Sequence, residues 1–288
     1  MSGLRLAGCL VLLLAAAAGT ASALEREAFR VCADPNNLPF SHKNLKGFEN
    51  KLAELWADRL GLEVEYTWFP QRMGFVRNTL RAKNEFDEYK CDVVMGIAEG
   101  YELLVTTKPY YRSTYALVYV EDRGLDDVRS GEDFVSLDEK RRSALKIGAF
   151  DSTPGPAWLA RHGMLRQMVA FQAMSGDPED YPGEILEQAL VDGDIDAALI
   201  WGPIAGYFAR QADERELVVI PLESEPGIRF DFGISAGVRF GEAEAKAQLE
   251  QLIDETADEI EALLESYHVP LLAREDVADD RRSGDDDD

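Results

Sequence analysis

The chain has 288 residues, 46% of them hydrophobic and 29% charged, enough to build the core of one large domain or two of ordinary size. Its 54 acids against 30 bases give a formal charge of −24, a field that repels phosphate backbones and anionic membrane surfaces, so neither nucleic acid nor a membrane is an expected partner. Three cysteines and three scattered histidines leave little material for a zinc or iron–sulfur centre, and no metal or other cofactor is expected.

Residues 1–23 read as an export signal. Arg5 precedes an apolar run from Leu6 to Ala18, and Ala21-Ser22-Ala23 supplies the small-residue pattern of a cleavage site before Leu24. Leu6-Ala7-Gly8-Cys9 superficially spells a lipidation box, but its cysteine precedes most of the apolar stretch instead of following it. No later segment approaches the ~18 uninterrupted apolar residues that span a bilayer, so the mature chain is expected to be soluble in the periplasm. Cleavage removes Arg5 and no acid, which makes the charge one unit more negative than −24 and leaves Cys32 and Cys91 as the remaining cysteines. Both open apolar, strand-like runs and are a disulfide candidate in an oxidising compartment; two buried free thiols are the alternative.

Short β-rich runs then alternate with helical periodicity. Phe29–Ala33 reads as a strand followed by a Pro/Asn loop, and Leu52, Leu55, Trp56 and Leu60 share a helical face that Gly61 terminates. Val64–Phe69 is the next strand, Phe75, Val76, Thr79 and Leu80 mark a second amphipathic helix, and Asp92–Ile97 is a buried third strand. Strand–helix–strand–helix–strand implies a parallel sheet covered on both faces. A second such unit starts at Leu145–Phe150, continues through a helix around Ala157–Arg161 and a helical face at Ile185, Leu186, Ala189 and Leu190, and reaches a strand at Ala197–Ile200. The polar stretch Gly124–Arg142 separates the two units, Leu217–Leu222 adds a strand, and one long helix carrying Leu249, Leu252, Ile253, Ile260, Leu263 and Leu264 closes the fold. From Arg274 the chain is strongly acidic and almost free of apolar residues. Residues 276–288 read as a disordered tail, serving solubility or the docking of a basic partner, and high-salt adaptation is a further meaning of the overall acidity.

Asp192-Gly193-Asp194-Ile195-Asp196 resembles the start of a calcium loop, but Ala197 stands where the turn needs glycine and Pro203 where a bidentate Glu is needed. His42, His162 and His268 each stand without a spaced partner. There is no phosphate-cradling glycine loop, no Gly-x-Ser-x-Gly elbow and no Cys-x-x-Cys, so a non-enzyme is expected; Asp34 and Glu49 are the one acid–base pair that could be nominated.

The loop Asp34–Phe40, Gly47-Phe48-Glu49, Cys91–Ile97, Pro109-Tyr110-Tyr111 and Gly193–Ala197 together resemble the type II periplasmic solute-binding proteins. The resemblance spans roughly 29–270 and implies an α/β, two-lobed type II periplasmic binding protein fold: parallel-type sheets with helices on both faces and a cleft between the lobes. Lobe 1 would comprise 24–120 plus 229–275, and lobe 2 121–228. Amino-acid receptors of this kind place an arginine after the third strand for the ligand carboxylate and an aspartate at the end of the second lobe's strand for the ammonium. The matching residues here are Tyr101 and Trp201. A zwitterion between them would lose solvation without charge-assisted bonds in return. The strings at 68–72, 91–96, 106–115 and 201–209 are similar to the MxaJ/XoxJ proteins. That similarity implies a periplasmic accessory of a PQQ-dependent methanol dehydrogenase of calcium or lanthanide type, which binds the enzyme and assists its maturation or activation. A receptor delivering a small non-amino-acid solute to an ABC permease is the alternative.

Loops at the carboxyl ends of parallel strands would line the cleft. Asp34, Asn36 and Asn37 would offer polar groups and Phe40 and Phe48 apolar walls, with Glu49 nearby; Gln71 and Arg72 follow the second strand and point at the same opening. Tyr101, Tyr110, Tyr111, Trp201 and Tyr207 form an aromatic set suited to a protein surface or apolar segment, with core packing as the other reading. Arg112, Ser113 and Thr114 could bond a guest's backbone, and Asp151, Ser152 and Thr153 open the second lobe's first helix, whose N–H groups could hold an anionic or carbonyl group. Lobe closure is expected to accompany binding.

Overall fold

The computed structural model describes residues 27–71, 74–172, 179–212 and 216–273. The expected signal segment, Arg72 and the acidic tail lie outside these residues. Strand β1 (Ala28–Ala33) sends Phe29, Val31 and Ala33 to one core and Cys32 to another, as a period of two requires. A small hairpin, β2 (Asn36–Asn37) and β3 (Ser41–His42), leads to α1 (Phe48–Leu60). The turn into α1 needs glycine: a Cβ on Gly47 would lie 2.0 Å from the Phe40 carbonyl oxygen. Asn50 Oδ1 accepts the backbone N–H groups of His42 (3.0 Å) and Gly47 (3.2 Å), so the hairpin and the helix start are fixed by one side chain. Gly61, left-handed at φ 69°, ends the helix.

Strand β4 (Glu63–Trp68) follows. The second helix is a single turn, α2 (Phe75–Asn78), shorter than the spacing through Leu80 suggests. The Thr79 hydroxyl donates to the Phe75 carbonyl (2.7 Å), and the chain leaves the helix so that the Leu80 carbonyl accepts from buried Arg239 Nη1 (3.1 Å). Strands β5 (Val93–Ala98), β6 (Val105–Thr106) and β7 (Tyr111–Val120) come next. The polar stretch after β7 forms two short helices, α3 (Gly131–Val135) and α4 (Glu139–Ala144), whose first turns are capped by Ser130 and Asp138 side chains. Then follow β8 (Ile147–Phe150), α5 (Pro154–Arg161), β9 (Met168–Phe171), a π-helical segment at Ile185–Leu190, β10 (Ala197–Trp201), α6 (Gly202–Gln211), β11 (Leu217–Pro221) and β12 (Asp231–Val238). The expected single C-terminal helix is two, α7 (Ala243–Glu255) and α8 (Ala257–Ser266). The break falls at buried Thr256, whose hydroxyl accepts from Trp56 Nε1 (3.1 Å) and donates to the Leu252 carbonyl (2.6 Å).

The strands form one continuous path, β4-β1-β5-β12-β7-β10-β8-β9, with β6 beside β12 and β11 beside β7. Pairing is parallel at both ends and antiparallel in the middle, where β7 and β12 run. Strand β7 changes partners midway. Tyr111–Thr114 pair with β12, whereas Tyr115 onward pairs with β10 and β11. The Thr114 hydroxyl donates to the Leu222 carbonyl (2.6 Å), and Tyr115 exchanges backbone bonds with Phe230 (3.1 Å) and Leu222 (2.8 Å). In the second half, alternate residues of β7 and β10 serve opposite faces: Leu117, Tyr119, Ala197 and Leu199 one core, Ala116, Val118, Ala198 and Ile200 the other.

A third segment braces this crossing. The Ser113 hydroxyl donates to the Pro270 carbonyl (2.7 Å), and the Leu272 N–H donates to the Arg112 carbonyl (3.0 Å). Helix α6 presses on the same segment through glycine: a Cβ on Gly206 would lie 1.9 Å from the His268 carbonyl oxygen, and one on Gly202 2.3 Å from that of Thr114. Tyr207 of α6 stacks on Tyr267 at 5.8 Å. Gly206→Ala is therefore expected to destabilise by about 1–3 kcal/mol, checked by urea unfolding; unchanged stability would contradict the close approach of α6 to this segment.

Cys32 and Cys91 are joined by a disulfide with Cα atoms 5.4 Å apart. Beside it, Arg239 donates to the Cys91 carbonyl (2.6 Å) and to Asp92 (2.7 Å), which also accepts from Arg30 (3.0 Å). The bridge closes a loop over a sequence separation of 59, so a Cys32→Ala/Cys91→Ala variant should lose about 4 kcal/mol in urea unfolding by the chain-entropy relation. An unchanged midpoint would contradict this account.

Candidate binding cleft

A cavity of about 410 Å³ opens where the two halves of the sheet meet. From the first half it is lined by Asp34, Asn36, Asn37 and Gln71. These four are organised by their own loop: Asp34 Oδ1 accepts the Asn36 N–H (2.8 Å), its other oxygen accepts the Gln71 N–H, and Asn37 Nδ2 donates to Gln71 Oε1 (2.9 Å). Ser41 fixes the base of the loop by donating to the Asp34 carbonyl (2.9 Å).

The opposite wall is aromatic. Tyr115 and Trp201 meet edge to face at 5.2 Å, and Phe150 and Phe171, ending two adjacent parallel strands, at 6.2 Å. Thr153 completes this side, its hydroxyl donating to the Phe150 carbonyl (2.8 Å). Asp180, Tyr181 and Glu184 form the rim, and Ile185, Ile200 and Ile204 the apolar backing. Among the described residues a hydrogen bond crosses the opening, from Asn36 Nδ2 to the Glu179 carbonyl (3.0 Å). Leu38 and Phe40 of the first half also pack against the second half's core.

Comparison with known proteins agrees with this geometry. No family model matches the chain. The crystal structure of the periplasmic binding protein XoxJ from Methylobacterium extorquens AM1 is 34% identical, with a TM-score of 0.67, over 85% of this chain and 100% of that one. The chain belongs to the MxaJ/XoxJ family. MxaJ from Methlophaga aminisulfidivorans MPT superposes with a TM-score of 0.70 at 26% identity over 85% of this chain and 100% of that one. Protein MoxJ of Paracoccus denitrificans is 27% identical over 255 residues, 84% of this chain and 88% of its own length. The fold is that of the type II periplasmic binding proteins.

Of the residues singled out in the sequence, Asp34, Asn36, Asn37, Gln71, Thr153 and Trp201 meet in the cavity. Others do not. Phe48 is wholly buried, packed edge-on against Phe40 (5.4 Å) and Tyr111 (6.1 Å), because it faces inward from the first turn of α1. Phe40 bridges the cores without lining the cavity. Arg112 pairs with Asp231 (2.7 Å), and Ser113 and Thr114 spend their hydroxyls on the crossing itself, so the polar groups of these three are engaged within the fold. Asp151 accepts from the Ser152 hydroxyl (3.1 Å), both exposed outside the lining. Tyr101 is 43% exposed in the turn after β5, and Tyr207 is committed to Tyr267. Tyr110 is core, its hydroxyl accepting the Gly96 N–H (3.0 Å). Sequence reasoning missed Tyr115, Phe150, Phe171 and the rim residues. Phe150 and Phe171 were accessible to the same rule that selected Asp34, since both end parallel strands; nothing in the sequence marks the rim.

Glu49 lies behind this wall, buried beneath the Asp34 loop. Gly96, left-handed at φ 70°, leaves room for it: a Cβ there would come within 2.2 Å of Glu49 Oε1. Burial, with a smaller contribution from the Asp34 charge, pushes the Glu49 carboxyl up to about 8. The same surroundings hold the Tyr110 and Tyr111 hydroxyls well above their ordinary range, by burial first and by Glu49 second. Folding thus favours protonated Glu49, and the stability this gives is complete below the unfolded carboxyl range and lost as pH rises through about 8. Glu49→Gln removes the titration, so wild type and variant should have similar stability near pH 5. The variant's advantage should then grow by up to about 1.4 kcal/mol per pH unit toward pH 8. Urea unfolding at several pH values reads this directly, and a difference independent of pH would contradict it.

Proposed function

We propose that this protein serves in the periplasm as a non-catalytic, solute-binding-like accessory of a PQQ-dependent methanol dehydrogenase, binding the enzyme and assisting its activation or maturation. The observation that carries the reading is the cleft. Where amino-acid receptors of this fold keep their two charged anchors, this chain has Tyr101, exposed and outside the cavity, and Trp201, an aromatic wall within it. The carboxylate of a free amino acid would therefore meet no basic partner among the described lining residues, whereas rigid aromatic walls suit a segment or side chain of a larger partner. Membership of the MxaJ/XoxJ family supports the choice of partner. In this reading the lobes pivot at Thr114–Tyr115 and Phe230–Asp231, where β7 and β12 cross.

Asp34 and Glu49 come together as the sequence allowed, yet Glu49 sits behind the cavity wall, out of contact with any guest there, which favours binding over catalysis. The importer alternative has one observation in its favour: about 410 Å³ is the size of a small-molecule site.

A tagged mature chain, purified gently from its native periplasm at low salt, should bring down a quinoprotein dehydrogenase, and Trp201→Ala should reduce capture roughly tenfold, as expected for a central aromatic contact. Recovery of a stoichiometric small molecule with no dehydrogenase, seen by native mass spectrometry, would overturn the proposal in favour of the importer role.

A further inference from the structure

The cleft has a sign as well as a shape. Asp34, Asp180 and Glu184 bring three carboxylates to it, and none of its described lining residues is basic. Asp34 accepts one backbone N–H on each oxygen, which leaves further lone pairs on both. Asp180 makes no hydrogen bond among the described residues. The walls that face these acids are the Tyr115–Trp201 and Phe150–Phe171 pairs, whose ring faces attract positive charge.

Carboxylates supply the charge term and aromatic faces the discrimination, because a desolvated alkylammonium or guanidinium gains from ring faces what a small hydrated ion does not. An anion would meet the like charges of Asp34 and Asp180, and a zwitterion would carry its own carboxylate to them. We propose that the cleft receives an organic cation, an alkylammonium or guanidinium group, seated against the Tyr115–Trp201 wall with its charge toward Asp34 and Asp180. The inference rests on the reading that this cleft is the working site and names the chemistry of its guest. The group reaches the cleft either on a free amine or on a lysine or arginine side chain of the partner protein.

The test uses the full mature chain and a matched pair of probes, n-butylammonium and butyrate, titrated at low ionic strength while tryptophan fluorescence and calorimetry are recorded. The ammonium should bind at least roughly tenfold more tightly than the carboxylate. Asp180→Asn, a change at a side chain that holds no part of the fold together, should weaken the ammonium about three- to tenfold, and Trp201→Phe should remove the fluorescence response. Asp34→Asn should act in the same direction, with circular dichroism verifying its loop-dependent fold. Equal binding of the two probes, a preference for butyrate, or no effect of Asp180→Asn would overturn the proposal. N-acetyl-lysine methylamide separates the sources: competition with n-butylammonium assigns the site to a polypeptide side chain, and exclusion assigns it to a free amine. Retained capture of the dehydrogenase with no ammonium response would remove this inference alone, and ammonium binding without capture would remove the partner reading alone.

Discussion

The exchange of partners at Thr114 and Tyr115 is the constraint from which the rest of the molecule follows. Strand β7 divides its ten residues at that point: Tyr111–Thr114 pair with β12, and the residues beyond lie between β10 on one edge and β11 on the other. The carboxyl ends of β1 and β4 then face those of β8 and β9 across a gap, and the loops that leave them become the cleft walls. The crossing is reinforced from outside the sheet by the Val269–Leu272 segment and the two glycines of α6. Relative movement of the halves must therefore act on three chain segments at once, and on the Tyr207–Tyr267 stack beside them.

Electrostatics are arranged around that frame in two ways. In the first half, Arg239 reaches two carbonyls and Asp92, with Arg30 on the other carboxylate oxygen, so that the most deeply buried charges are paired and their hydrogen bonds are filled. Beneath the cleft the opposite choice is made. Glu49 has no buried cation beside it among the described residues and holds its proton instead, which keeps the ground under the Asp34 loop neutral at ordinary pH.

Much of the architecture was legible because periodicity is a local property. The alternation in β1 and β10 and the face formed by Leu52 and Trp56 in α1 follow from side-chain spacing alone. The shortened α2 and the break between α7 and α8 were not legible. Both depend on threonine hydroxyls turning back on the chain, one of them meeting Trp56 from 200 residues away. The cleft was half legible for the same reason. Strand-end residues such as Asp34 and Trp201 could be placed by topology, but Phe48 and Tyr111 read identically as wall or core until packing decided, and Ser113 and Thr114 until their carbonyl partners at Pro270 and Leu222 were known. The resemblance to solute-binding proteins drew attention to the hinge residues as ligand groups. In this chain their polar atoms are consumed by holding the hinge together.

The segment around Pro270 has a bearing on how the molecule comes into being. A polypeptide threaded across a membrane from its N-terminus delivers β1 and β5 early but β12, α7, α8 and the brace at 267–272 last. Without those residues neither half is complete: the first lacks β12, which joins β5 and β6 to β7, and the second lacks the surface on which Gly202 and Gly206 seat. Both halves thus depend for completion on the closing stretch of the described chain.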